Sequence, residues 1–121
     1  MKRVLLVDDH KLFGQVLAVT LKHRTDFKEN VQAGSLAEAR QVLGDLDGRV
    51  DLAIVDLTLP EGEAIELIHK LHELDIPVLA FTYVQSLGKR TRALEAGANE
   101  VLLKTSSGEE IVGVVNRLIS D

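Results

Sequence analysis

The side chains whose types suit one shared reaction are the adjacent carboxylates Asp8 and Asp9, the carboxylate of Asp56, the hydroxyl of Thr82 and the ammonium of Lys104. Each follows a short apolar run, at 4–7, 52–55, 78–81 and 101–103. Runs of this length read as buried strands, and parallel strands bring their carboxyl ends to one sheet edge, where open α/β proteins carry out ligand chemistry. Crowded carboxylates repel one another unless a cation joins them. One or two carboxylates with water are the donors Mg²⁺ prefers. A metal held by Asp9 and Asp56, beside Lys104 and Thr82, would surround an incoming phosphoryl group with donors and positive charge. Positioning and charge stabilisation are most of what phosphoryl transfer needs. Asp56 would then be the nucleophile, forming an aspartyl phosphate.

The segments between these strands have helical periodicity. Leu12, Phe13, Val16, Leu17, Thr20 and Leu21 make one stripe, and Leu36, Ala39, Val42, Leu43 and Leu46 a second, opened by a capping box of Ser35 and Glu38. A third runs through Ala64, Ile65, Leu67, Ile68, Leu71 and Leu74, with Glu61 and Glu63 suited to its amino end. The segment 86–96 carries Lys89, Arg90 and Arg92 and few apolar residues, so a lightly packed helix stopped by Gly97 is expected. The last helix, capped by Ser107 and Glu110, has a stripe of Ile111, Val112, Val114, Val115, Leu118 and Ile119. That is wider than one sheet contact requires, leaving some of it for a partner. Between the first two helices, 27–33 is a weakly apolar strand suited to a sheet edge. Strand and helix signals alternate throughout, and the short connections imply right-handed crossovers. The expected fold is α/β, a doubly wound parallel sheet with helices on both faces.

With 121 residues and 45% hydrophobic content, the chain suits a single domain, 1–121, with a core of its own. The absence of cysteine excludes disulfides, thiolate catalysis and cysteine zinc sites. The apolar run at 4–7 is too short for a signal peptide or a membrane span, so a cytoplasmic protein without membrane association is expected. A net charge of -5 argues against nucleic-acid binding by this chain alone. No P-loop or dinucleotide glycine fingerprint is present. His69 and His72, three apart, lack His-Glu-x-x-His spacing and read as a solvated helix face.

Taken singly, Asp8 or Asp9 would be a helix cap and Asp56 a turn residue. Their joint placement with Thr82 and Lys104 resembles the receiver domain of two-component response regulators, over the whole chain. The motifs are Val7-Asp8-Asp9, Asp56 followed by Leu59-Pro60, Thr82 ending the fourth strand and Lys104 after the fifth. The resemblance implies a flavodoxin-like five-stranded sheet of order 2-1-3-4-5. It implies Asp56 as phosphoacceptor and Mg²⁺ on Asp9 and Asp56, with Asp8 acting through the metal's water and Thr58 through its backbone carbonyl. Thr82 and Lys104 would contact the phosphoryl oxygens, and Thr82 would shift to signal the modification. The implied donor is a sensor histidine kinase or phosphotransfer protein, with small acyl or amido phosphates as substitutes. The implied output surface, which could also form a homodimer, is the fourth helix, fifth strand and fifth helix. Such a domain promotes only its own phosphorylation and dephosphorylation and is not an enzyme acting on other substrates. The opening Val7-Asp8-Asp9-His10-Lys11-Leu12-Phe13 is most similar to the nitrate/nitrite-regulator subfamily, whose usual output is a LuxR-type DNA-binding domain. No such domain follows in this sequence, which suits a stand-alone receiver or a fragment ending at the domain boundary.

Three positions depart from the family pattern. Val101 stands where a switch aromatic is usual, Tyr83 where a small residue flanks access to the phosphoryl site, and Thr105 where many members have a proline. Tyr83 is therefore expected to narrow access to Asp56 and to take over part of the aromatic's role. These departures also suit a pseudo-receiver that docks or dimerises without phosphorylation. A phosphohydrolase of the haloacid-dehalogenase type fits less well, because it needs Asp-x-Asp after the first strand and a cap for which the chain has no room.

Overall fold

The computed structural model describes residues 2–83 and 85–119. Strands and helices alternate as β1 (Lys2–Val7), α1 (Lys11–Arg24), β2 (Phe27–Ala33), α2 (Leu36–Asp45), β3 (Leu52–Asp56), α3 (Glu61–Glu73), β4 (Val78–Thr82), α4 (Leu87–Ala96), β5 (Glu100–Leu103) and α5 (Gly108–Ile119). The five strands form one sheet in the order β2-β1-β3-β4-β5, every pair parallel. None of the described helices is long and apolar enough to cross a membrane.

The period-2 alternation of strand side chains divides the core into two layers. Val4, Leu6, Leu52, Ile54, Leu79 and Phe81 pack with Leu17 and Leu21 of α1 and with Ile111, Val114 and Val115 of α5. Leu5, Val7, Ala53, Val55, Val78 and Ala80 pack on the opposite face with residues of α2, α3 and α4. β1, β3 and β4 are covered on both faces, which is why they read as continuous apolar runs. β2, at an edge, keeps only Phe27 and Ala33 buried.

Capping follows the sequence closely. The Ser35 hydroxyl accepts from Glu38 N–H at 3.2 Å, and that of Ser107 from Glu110 N–H at 3.1 Å. Of α4, only Ala93 is buried, and Leu87 is 80% exposed, so this helix is as lightly held as its composition implies.

Three apolar stripes differ from expectation. On α1, Leu12 and Val16 face solvent, because the row that meets the sheet is Phe13, Leu17 and Leu21, with small Gly14 and Ala18 beside it. A Cβ at Gly14 would stand 3.1 Å from Gln32 Oε1, the flexible end of an exposed side chain. The wide face of α5 is largely used, with Ile111, Val112, Val114 and Val115 buried and Leu118 and Ile119 packed on that core. Leu74, expected in the α3 stripe, lies past the helix end and is exposed, just before the turn at Asp75 (φ 59°). The Glu61 side chain and residues 1, 120 and 121 lie outside the described residues.

Gly97 ends α4 at φ 122°, a conformation L side chains rarely adopt, and a Cβ there would meet His72 Cβ and Cγ at 2.5 Å. Backbone strain and overpacking add at this position. Gly97→Ala should therefore destabilise the domain by about 2 kcal/mol or more, read as a lower urea midpoint at unchanged slope. An unchanged midpoint would show that α3 and α4 can separate freely here.

Candidate functional site

The sheet register determines which side chains meet. Val7 is level with Val55, Asp56 with Phe81, and Thr82 with Leu103. The hydrogen-bond ladder continues one residue beyond three strands: Asp8 N–H donates to Ala33 C=O at 3.0 Å, Leu57 N–H to Phe81 C=O at 2.7 Å, and Lys104 N–H to Thr82 C=O at 2.8 Å. Asp8, Asp56 and Lys104 therefore leave the sheet at one edge with their backbones held.

The Lys104 ammonium donates to Asp8 Oδ2 at 3.1 Å and lies 2.9 Å from Asp56 Oδ2. Its side chain is fully buried, with the Phe13 ring centroid at 4.7 Å and that of Tyr83 at 4.8 Å. A cation between two aromatic faces and two carboxylates has little freedom to leave. Asp56 is held from its other side by Thr58, whose N–H donates to Oδ1 at 2.9 Å and whose hydroxyl donates to Oδ2 at 2.5 Å. At the carboxyl edge where the sequence places it, the Asp56 side chain is only 1% exposed, because Thr58 and Lys104 close over it.

These contacts push the two buried carboxyls in opposite directions. Burial acts to raise Asp56, but hydrogen bonds from the Thr58 hydroxyl, the Thr58 N–H and Lys104 outweigh it and hold this carboxyl below the usual range. Asp8 is raised, chiefly by burial and then by the neighbouring charge of Asp56. Burial acts against the Lys104 ammonium, yet its bonds to Asp56 and Asp8 raise its value overall. Asp56 is thus kept ionised, as a nucleophilic carboxylate must be.

Asp8, Asp9, His10 and Asp56 each offer a ligand atom, all within 4.8 Å of one another. Asp9 is half-exposed and open to solvent. Converging carboxylate oxygens, one of them water-accessible, fit a hard divalent ion such as Mg²⁺, and a single ammonium does not neutralise them.

The chain matches the response regulator receiver domain model over residues 4–116. It belongs to that family. It is similar to the transcriptional regulatory protein PcoR of Escherichia coli, with 31% identity over 122 residues, covering 98% of this chain and 52% of that protein. The receiver thus spans about half the length of the curated relatives it matches. Among solved structures, a response regulator from Burkholderia pseudomallei, described with a phosphorylated aspartic acid, a calcium ion and citrate, has TM-score 0.82 at 27% identity. That match covers 99% of this chain and 67% of that one. A LuxR-family response regulator from Aurantimonas has TM-score 0.83 at 28% identity, covering 97% of this chain and 84% of the other. The observed strand order is the flavodoxin-like one.

In this receiver the buried Thr82 and Val101 line a cleft of about 490 Å³ between α4 and β5, with Gln85, Leu87 and Arg90. Tyr83 is half-exposed and set edge-on to His10, ring centroids 5.8 Å apart. Three contacts escaped the sequence reading. The Thr58 hydroxyl bond could have been suspected from a threonine two residues past a turn carboxylate, a local pattern Thr commonly makes. The Phe13 contact with Lys104 joins residues distant in sequence and had no signal. His10 had one, since it directly follows the acidic pair in the same strand-end turn.

Asp8 binds its proton more tightly in the native state than in the unfolded chain. That contribution is fully present below the ordinary value of 3.8 and is lost as pH rises through the folded value. Asp8→Asn removes the penalty of the buried charge while keeping an acceptor for the His10 N–H. In a chelator at neutral pH it should stabilise the domain on the order of 1 kcal/mol, with the gain vanishing below the ordinary carboxylate value. Denaturant titrations at both pH values test this, and a loss of stability at neutral pH would mean that the bond to Lys104 outweighs the desolvation.

Proposed function

We propose that this chain, 1–121, is one phosphoacceptor domain. It takes a phosphoryl group onto Asp56 from a phosphohistidine of a sensor histidine kinase or phosphotransfer protein. The observation that carries the reading is the Lys104 ammonium, 2.9 Å from an Asp56 carboxylate held in its ionised form. In the reaction, an Asp56 oxygen forms the new bond to phosphorus while the donor's N–P bond breaks, its electron pair staying on the nitrogen. Lys104 transfers its hydrogen bonds from the carboxylates to the phosphoryl oxygens, and Thr82, at the next strand end, adds its hydroxyl. Asp9 and Asp56 would hold Mg²⁺, Asp8 would act through the metal's water shell, and Thr58 would add its backbone carbonyl. That ion would supply the positive charge the developing phosphoryl oxygens need. The calcium ion named for the Burkholderia pseudomallei regulator, another hard oxygen-seeking cation, supports an oxygen-ligated site here.

Modification adds about -1.5 to -2 charges at Asp56 and draws on Lys104 and Thr82. α4 adjoins Thr82 across the cleft and buries only Ala93, so it can move at low cost. The surface of α4, β5 and α5 is the element that phosphorylation would bias, altering homodimer or partner affinity. The domain turns over no external substrate, and its acidic charge suits an output other than direct nucleic-acid contact.

Intact mass measured after incubation with a small acyl phosphate and Mg²⁺ tests this directly. A phosphoryl adduct should form on the wild type and fail to form on Asp56→Asn or in a chelator. No adduct from either the small donor or a phosphohistidine donor, with Mg²⁺ bound, would favour a pseudo-receiver.

Tyr83 partly covers Lys104 and leans on His10. Tyr83→Ala should therefore speed phosphorylation by the small donor several-fold, followed by mass over time. An equal or slower rate would mean that the ring matters for holding Lys104 and not for access.

A further inference from the structure

His10 is the one member of the acidic cluster that the phosphoacceptor reading leaves unused. Its backbone N–H donates to Asp8 Oδ1 at 2.7 Å, so the residue is pinned to the acidic pair. Its Nδ1 stands 3.5 Å from Asp8 Oδ1, 3.5 Å from Asp9 Oδ1 and 3.7 Å from Asp56 Oδ2, beyond ordinary hydrogen-bond reach. The Lys104 ammonium is nearer, at 3.1 Å, and an ammonium can only donate, so what it meets there is the ring's lone pair. Tyr83 backs the ring in this orientation. An ammonium has three protons, and among the described residues Lys104 has three acceptors: Asp56 Oδ2 at 2.9 Å, Asp8 Oδ2 at 3.1 Å and His10 Nδ1 at 3.1 Å. No proton is left for a phosphoryl oxygen until one partner lets go.

We infer that His10 is a positioning residue: it holds Lys104 in a resting pose, and the proton it accepts must leave the imidazole before Lys104 can serve a phosphoryl group. The inference rests on the phosphoacceptor reading of Asp56. The three partners differ in what parting from them costs. Asp8 and Asp56 are buried, so leaving either strands a charge away from water. His10 offers a neutral lone pair on a half-exposed side chain, and water can replace the ammonium there. His10 is therefore the partner that yields. Its Nδ1 lies 3.7 Å from Asp56 Oδ2, so the proton aimed at it is already beside the carboxylate that takes the phosphoryl group. Until that proton turns, the contact restrains the reaction, and a side chain without a lone pair removes the restraint.

Two variants separate the lone pair from the bulk of the ring. His10→Phe keeps a ring against Tyr83 but accepts no hydrogen bond, and His10→Ala removes both. At saturating Mg²⁺, where metal affinity no longer matters, both should take a phosphoryl group from a small acyl phosphate about fivefold faster than the wild type, the factor that one ordinary hydrogen bond is worth. Proton exchange of the Lys104 ammonium, followed by ¹⁵N NMR on the metal-free chain and assigned by its loss in Lys104→Arg, should quicken about fivefold in both. A merely structural role would leave that signal unmoved. A faster phosphorylation rate in His10→Ala alone would mean that the ring blocks access, and overturns the inference. Unchanged proton exchange, or phosphorylation no faster in His10→Phe, overturns it too and leaves the phosphoacceptor reading intact. If the wild type and both variants take no phosphoryl group from either an acyl phosphate or a phosphohistidine donor, the reading of Asp56 falls, and this inference with it.

Discussion

A buried ammonium between two carboxylates is the constraint on which the rest of the site depends. Lys104 has no exposed side-chain surface, and Asp8 and Asp56 have little. Charges so placed are costly unless their geometry is good and their remaining hydrogen-bonding capacity is used. The partners of Lys104 come from several parts of the chain: Asp8 and His10 from just past β1, Asp56 from β3, Phe13 from α1 and Tyr83 from beyond β4, with Lys104 itself just past β5. No local segment can assemble such a set. Only the parallel sheet, with its ladder extended one residue past three strands, brings the backbones close enough.

The same constraint explains why Asp56 and Asp8 behave differently although both are buried carboxylates. Asp56 accepts from Thr58 twice and from Lys104, and these donors offset its burial. Asp8 has the His10 N–H and shares Lys104, but the nearby negative charge of Asp56 acts in the same direction as its burial. One carboxylate is therefore kept ionised, and the other carries the strain of the crowded cluster. A divalent cation would relieve that strain, and the sequence alone already suggests this from the density of acidic side chains at one sheet edge.

Much of the fold was legible because its signals are local. Apolar runs covered on both faces mark β1, β3 and β4, and the hydroxyl caps at Ser35 and Ser107 mark two helix starts. The meeting of Asp8, Asp56 and Lys104 was legible because parallel topology puts all strand ends on one edge. The inner row of α1 was not, because two adjoining apolar rows, Leu12 and Val16 beside Phe13, Leu17 and Leu21, compete and helical spacing alone does not choose between them. The closing of Asp56 was hidden for a similar reason. Whether a strand-end carboxylate is open or covered depends on how far Thr58 and Lys104 reach over it, which spacing does not encode.

Val101 and Tyr83 acquire a common meaning from their positions on either side of Thr82. Val101 is small and buried, lining the cleft between α4 and β5, so β5 offers no aromatic ring there to swing inward. The aromatic surface lies instead on the other side, with Tyr83 against Lys104 and His10, and Phe13 against Lys104 and Phe81. In the proposed reaction, movement of Lys104 toward a new anion at Asp56 would alter its contact with the Tyr83 ring. α4 itself is held by a small set of contacts, the buried Ala93 and partly buried Ala96 on the core and the Arg90 guanidinium donating to Val101 C=O at 3.1 Å, so few interactions would have to change for its exposed face to move.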